Sequence, residues 1–276
     1  WYTLLTNRQT GKIAFCAATT TASTLCEAMT PLLPQLDNIE TMTRDMSGSY
    51  AKLCNDLIPS AIQIADKFHV ISNLMDAQQS VRIRYRQKIL EQRRIAFQLF
   101  KQEEQQRREQ CEQEEKKFTP KKFCYTEQRL SNGETPSELL ARSHFLLYKF
   151  PDQWKPWQLN RAKLLFEHFP EIQKAYKLSC LFRTWYAKDN IGMHRLQLEK
   201  ALFQWYEEVE DADIDEMTNF KSLVESHEDI IMNYFLSGKT NAPAENLNGK
   251  INRFIASNQG VRNRDFFFFR LKNFFA

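Results

Sequence analysis

The chain opens on short runs of alternating apolar and polar residues. Residues 1–6 (WYTLLT) and 12–19 (KIAFCAAT) are β-prone, and Asn7-Arg8-Gln9-Thr10-Gly11 between them is a turn signal, so the pattern predicts a hairpin. Over residues 22–33 the apolar positions Leu25, Met29 and Leu32 fall at helical spacing, with Pro31 expected to perturb the end. Residues 39–46 (IETMTRDM) predict a short strand ending at Asp45. Ser47-Gly48-Ser49 then opens a helix whose apolar face is Tyr50, Leu53, Cys54 and Leu57, stopped by Pro59. Residues 61–66 (AIQIAD) predict another strand.

From Phe68 the period changes to that of helices and stays so for most of the chain. Residues 75–117 read as a long polar helix or helix pair. Further helices are predicted over 137–149, 158–167, 171–188 and 191–209, followed by an exposed acidic stretch at 207–216. A last helix is expected to start near Glu245, after Gly238 and Pro243. At about 100° per residue, Leu247, Ile251, Phe254 and Ile255 share one arc of that helix, expected to pack on a sheet. Glu245, Asn248 and Asn252 line its polar edge, while Lys250 and Arg253 project elsewhere. Strands alternating with helices imply parallel strands in a layered α/β sheet.

Composition narrows the class. Seven glycines in 276 residues argue against an all-β design and for long helices. The net charge is only +4, but residues 81–122 carry thirteen Lys/Arg against seven Asp/Glu, and residues 249–276 carry six against one. Basic segments in a nearly balanced chain suit phosphate contacts on chosen faces; a solvated helix surface is the competing reading. The six cysteines form no CxxC pair and none sits near a His at finger spacing, so free thiols in a reducing cytoplasm are expected. No apolar run is long enough to span a membrane, and no signal peptide is evident.

The candidate chemistry is carboxylate chemistry. Asp45 and Asp66 each end a predicted strand, where ligands of open α/β sheets bind, and two such acids could hold Mg²⁺. Each could instead cap the helix that follows it. Glu245, beside a buried face, could lean over the sheet edge or serve as an N-terminal acid favoured by the helix dipole. His69 is the histidine near these acids, and a packed, hydrogen-bonded histidine is its plainer reading.

At residues 45–70 (DMSGSYAKLCNDLIPSAIQIADKFHV) the sequence resembles the DDE transposases of the ISL-three group of bacterial insertion sequences. The resemblance is carried by Asp45, Tyr50, Pro59 with Ala61, and the Asp66-Lys67-Phe68-His69-Val70 signature, and runs on into Asn73, Ala77 and Arg82. Residues 158–186, AENLNGKINRF (244–254) and RNRDFFFFRL (262–271) resemble later segments of the same family, so nearly the whole chain is covered. The resemblance implies a ribonuclease-H-like core with a large all-helical insertion. In this chain that gives a first core part at 1–74, the insertion at 75–237 and a C-terminal core part with the basic, Phe-rich tail at 238–276.

The resemblance further implies two-metal phosphoryl transfer with Mg²⁺ or Mn²⁺. Asp45 would be the second acid of the triad and Glu245 the third, both binding metal. Asp66 is a candidate further oxygen donor, and Phe68, His69 and Asn248 would support the site. The family's first Asp lies on a strand before the opening hairpin. Asp37 precedes Asp45 here but does not match it. The core is therefore expected to lack its first strand, and the chain, which begins at Trp1, to be a fragment or decayed copy with little activity alone. The family's N-terminal zinc-binding and helix-turn-helix portion is likewise expected outside it. The partners implied are DNA at terminal inverted repeats, and a homodimer or higher oligomer of the complete enzyme, in a bacterial, nucleoid-associated setting.

Arg82, Arg84, Arg86, Arg93, Arg94, Lys250, Arg253, Arg262 and Arg264 are the candidate phosphate contacts. A coiled-coil dimer through 81–122 is disfavoured by the lack of sustained heptads. The competing functions are a non-catalytic DNA-binding or regulatory transposase remnant and, more remotely, a structural helical protein whose acid motifs are coincidental.

Overall fold

The structure, a computed structural model, describes residues 2–239, 242–257 and 263–275; of residues 242–245, 264, 265 and 272 it describes the backbone only. Two compact units emerge. One joins residues 1–73, 185–201 and 222–276 and contains every strand among the described residues; the other joins 74–184 and 202–221 and is helical. Among the described residues no helix is long and apolar enough to cross a membrane.

In the strand-bearing unit, β1 (Thr3–Thr6) and β2 (Ile13–Ala17) form an antiparallel hairpin. Its turn is held by Asn7, whose Oδ1 accepts from the amides of Gln9 and Thr10, and by Gly11 in the left-handed region at φ 69°. Helix α1 (Ala22–Met29) passes through a 3-10 turn at Thr30–Leu32, where Pro31 sits, into the short α2 (Leu33–Leu36). Strand β3 (Thr41–Arg44) leads through α3 (Gly48–Leu57) to β4 (Ile62–Ala65), and β3 and β4 pair in parallel with Arg44 opposite Ala65.

The strands form two separate two-stranded sheets rather than the one layered sheet expected. Among the described residues the ladders run β1 to β2 and β3 to β4, and no ladder joins β1 or β2 to β3 or β4.

Period two explains how the hairpin is covered. Leu5, Phe15 and Ala17 pack with a buried cluster of Leu25, Met29, Leu36, Leu53, Ile58 and Ala61. Tyr2, Leu4 and Cys16, of opposite parity, pack with Leu247, Ile251, Phe267 and Leu271. The latter come from α12 (Ala242–Ser257) and α13 (Arg264–Phe275). The apolar arc predicted from the sequence, Leu247, Ile251, Phe254 and Ile255, is the face that α12 lays against the hairpin. The Phe-rich tail, which has no legible period, is itself a helix. Phe267 and Leu271 turn inward, whereas Phe266, Phe269 and Phe274 are exposed. Arg270 lies over the ring of Phe254, 4.5 Å from its centroid.

Helix α4 (Lys67–Gln113) is a single helix of 47 residues, about 70 Å long at 1.5 Å per residue. Strong helix formers fill it, and Glu91–Arg94, Glu104–Arg107 and Arg108–Glu112 pair along its surface. In the helical unit, residues 118–130 run back along it without regular structure, and Phe123 seats against Phe97 and Phe100. Helices α5 (Pro136–Arg142), α6 (Pro156–His168) and α7 (Pro170–Trp185) follow, then α8 (Arg195–Ala212) and α9 (Asp215–Ser226).

The helix expected over 137–149 ends at Arg142. Beyond it the chain turns, and side chains of α4 take up its carbonyls: Gln78 Nε2 donates to Leu147 O, Gln79 Nε2 to His144 O and Arg82 Nη1 to Leu140 O. Back in the strand-bearing unit, two short helices, α10 (Glu228–Met232) and α11 (Tyr234–Ser237), complete the chain before α12.

Candidate active site at the strand ends

The parallel register brings the ends of β3 and β4 together. Asp45 and Asp66 are the residues directly after the paired Arg44 and Ala65, and the Asp66 amide donates to Arg44 O at 2.7 Å. Both acids therefore sit at the carboxyl ends of neighbouring parallel strands, where open α/β sheets bind ligands.

Their side chains do different work. Asp66 is 1% exposed. Its Oδ1 accepts from the Phe68 amide at 3.1 Å and its Oδ2 pairs with His69 Nδ1 at 2.7 Å. Asp66 thus caps the start of α4, the capping alternative open in the sequence. Lys67 turns inward between two tyrosines, donating to Tyr186 O and to Tyr234 Oη at 3.1 Å. Its ammonium is 5.1 and 4.6 Å from the two ring centroids. Burial, with Lys188 nearby, lowers its pKa to about 8. Phe68 is exposed and meets His69 edge to face, and Val70 is fully buried.

Asp45 is half-buried, and its Oδ1 accepts from the Ser47 amide at 2.9 Å. Ser47 caps α3, its Oγ accepting from the Tyr50 amide. Asp45 is fixed through the first residues of that turn, and its Oδ2 takes no hydrogen bond among the described residues. Beside it Arg44 is buried, donating to Asp45 O at 2.9 Å and to Gln63 Oε1 at 2.8 Å.

Three residues that the sequence did not single out bond to β3, β4 and the turn after β3 from the far side of the chain. His227 Nε2 lies 3.1 Å from Met46 O, directly after Asp45, while its Nδ1 lies 2.9 Å from Ser226 Oγ. Asn233 Nδ2 donates to Gln63 O at 2.9 Å, and Lys239 Nζ to Thr41 Oγ1 at 2.9 Å. Of these, the Asn233 bond takes up a carbonyl on the free edge of β4. No local pattern announces them, since 170 or more residues separate each donor from its acceptor.

The other predicted residues divide. Glu245 is on α12, but its side chain lies outside the described residues, as do Arg262 entirely and the side chain of Arg264. Asn248, Lys250 and Arg253 are exposed on α12, with Arg253 Nε bonded to Gly249 O. Arg86, Arg93 and Arg94 are exposed, Arg94 gripping Glu91 through two hydrogen bonds.

Arg82 and Arg84 make their hydrogen bonds within the helical unit. Arg82 is buried against Gln79 and Leu140, and Arg84 is shared between Glu171 and Glu216, holding Glu171 below the usual carboxylate range. Among the described residues no three His, Cys, Asp or Glu side chains lie close enough to hold a metal ion together.

A family model described as a transposase matches residues 1–271. The chain belongs to that family, the DDE transposases of the ISL-three group. No curated protein and no solved structure matches it.

Proposed function

We propose that this chain is the catalytic region of such a transposase, with a ribonuclease-H-like core formed by the strand-bearing unit, and that it cleaves and joins DNA strands at insertion-sequence ends. Asp45 and Glu245 would hold Mg²⁺ or Mn²⁺ through carboxylate oxygens, which suit a hard cation. When bound, the metal supplies an activated hydroxyl or 3′-oxygen and charge stabilisation at the scissile phosphate.

The observation that carries this reading is the setting of Asp45. It follows a parallel strand directly and is oriented through one oxygen by the Ser47 amide, with the other oxygen left for a ligand. Glu245 enters by its family position, two residues before the Leu247 that anchors α12. Asp66 and His69 position the start of α4, and Lys67 locks that turn against two tyrosines.

The test is metal-dependent nicking of duplexes that carry the element's ends, by the complete enzyme that contains this region. Asp45→Asn and Glu245→Gln are each expected to reduce the rate by at least about a hundredfold without loss of folding. Full activity in either variant would remove the assignment. Inhibition of a full-length transposase by this chain, with no cleavage of its own, would favour the regulatory reading instead.

A further inference from the structure

Asparagine is followed by glycine at two places in the chain, Asn132-Gly133 and Asn248-Gly249. Such a pair is chemically labile, because glycine has no side chain to keep its amide nitrogen from reaching the asparagine side-chain carbon. The two pairs stand in opposite settings. Asn248-Gly249 lies within α12, where the helical ladder engages the Gly249 amide and the turns on either side hold the backbone. Asn132-Gly133 lies in an exposed turn of the helical unit, with Gly133 in the left-handed region at φ 80° and open space around it. A single hydrogen bond restrains the Gly133 amide, which donates to Leu130 O at 2.8 Å. Isolated bonds in exposed turns open far more often than bonds inside a helix.

The turn also favours the reaction itself. The Glu134 amide donates to Asn132 Oδ1 at 3.0 Å. A backbone donor therefore already faces the oxygen that becomes negative when a nucleophile adds to the adjoining carbon. The departing nitrogen, Asn132 Nδ2, donates to Glu134 Oε2 at 2.8 Å.

We propose that Asn132 is a site of spontaneous deamidation, and that its conversion loosens the tie between α5 and α6. Gly133 N bonds to Asn132 Cγ, the Cγ–Nδ2 bond breaks, and Nδ2 leaves as ammonia with the proton that Gly133 loses. Water then opens the cyclic imide to aspartate or isoaspartate. The tie at risk is Glu134, 7% exposed, whose Oε1 accepts from Arg142 Nη1 at 2.9 Å, at the end of α5, and from Arg161 Nη2 at 2.7 Å, on α6. Arg142 is also shared with Glu138 at 3.7 Å, so it is already engaged by two acids. An acid oxygen in the place of Nδ2 sets two carboxylates in contact, one of them buried, and neither can ionise beside the other without cost. Isoaspartate further lengthens the backbone within the turn.

The experiment holds the full chain in mildly alkaline buffer, folded and in urea, and follows both asparagines by peptide mapping and mass spectrometry. In urea the two pairs should convert at similar rates. In the folded chain Asn132 should convert at least about tenfold faster than Asn248. Asn132→Asp supplies the acid directly. Hydrogen exchange of residues 131–142 in that variant should rise about tenfold, the loss of roughly one hydrogen bond, with residues 246–257 unchanged.

Equal rates at the two sites in the folded chain, or faster conversion at Asn248, overturn the assignment of the site without any variant having to fold. Exchange in Asn132→Asp equal to that of the unaltered chain overturns the loosening of α5 from α6.

Discussion

Within the Asp66-Lys67-Phe68-His69-Val70 signature, consecutive side chains take unlike tasks: capping, inward anchoring, exposure, pairing with the cap, and burial. The sequence showed that an acid ended a strand, and it left two readings open for each of Asp45 and Asp66. What it could not show is which carboxylate oxygens neighbouring amides consume, because that depends on the turn each helix makes at its start. Lys67 gives a measurable consequence. The folded chain releases its proton near pH 8, whereas an unfolded lysine keeps it to about 10.5. Between those values the unfolded chain binds more protons, so stability rises with pH; below them the full desolvation cost is present. Urea midpoints taken across that window should therefore climb with pH in the unaltered chain. Lys67→Met should flatten the climb, and an equal slope in both would show that another group is responsible.

At the scale of elements, most helices and strands were legible because their periods are clean: the α12 arc, the hairpin and the Pro31 break each follow from spacing alone. The Phe-rich tail was not, since four consecutive phenylalanines point all round a helix and leave no period to read. Arg84 was read as a phosphate contact because it stands in a basic run, and its partners Glu171 and Glu216 are 87 and 132 residues away. That network ties α4 to α7 and α9 within the helical unit. Hydrogen bonding from Arg84, with Tyr85 also donating, lowers the Glu171 pKa. Its stabilisation is present above the ordinary carboxylate range and lost as pH falls through the depressed value. Glu171→Gln should lower stability near neutrality and weaken its decline in acid, as followed by thermal unfolding. A decline as steep as in the unaltered chain would mean that Glu171 is not the group concerned.

For the molecule as a whole, the chain leaves the strand-bearing unit at α4 and re-enters it twice. The re-entering residues His227, Asn233 and Lys239 were invisible in the sequence because they act only through distant backbone and hydroxyl groups. They also make the strand ends testable apart from any chemistry. His227→Ala should raise hydrogen exchange of the 45–48 turn roughly tenfold, the loss of about one hydrogen bond. His227→Gln, which keeps an amide donor, should stay near the unaltered rate. No change in the alanine variant would show that Met46 needs no such support.

The same bonds set an order of events during synthesis. Strands β3 and β4 leave the ribosome more than 150 residues before the side chains that bond to β4 and to the turn after β3. Until then the Gln63 and Met46 carbonyls must be satisfied by water, and the nascent sheet has an open border that invites mispairing. A chain arrested before residue 227 would carry the four described strands yet be unable to finish the turn at Asp45, and in the released chain the slowest step should be docking of that late segment rather than formation of the strands.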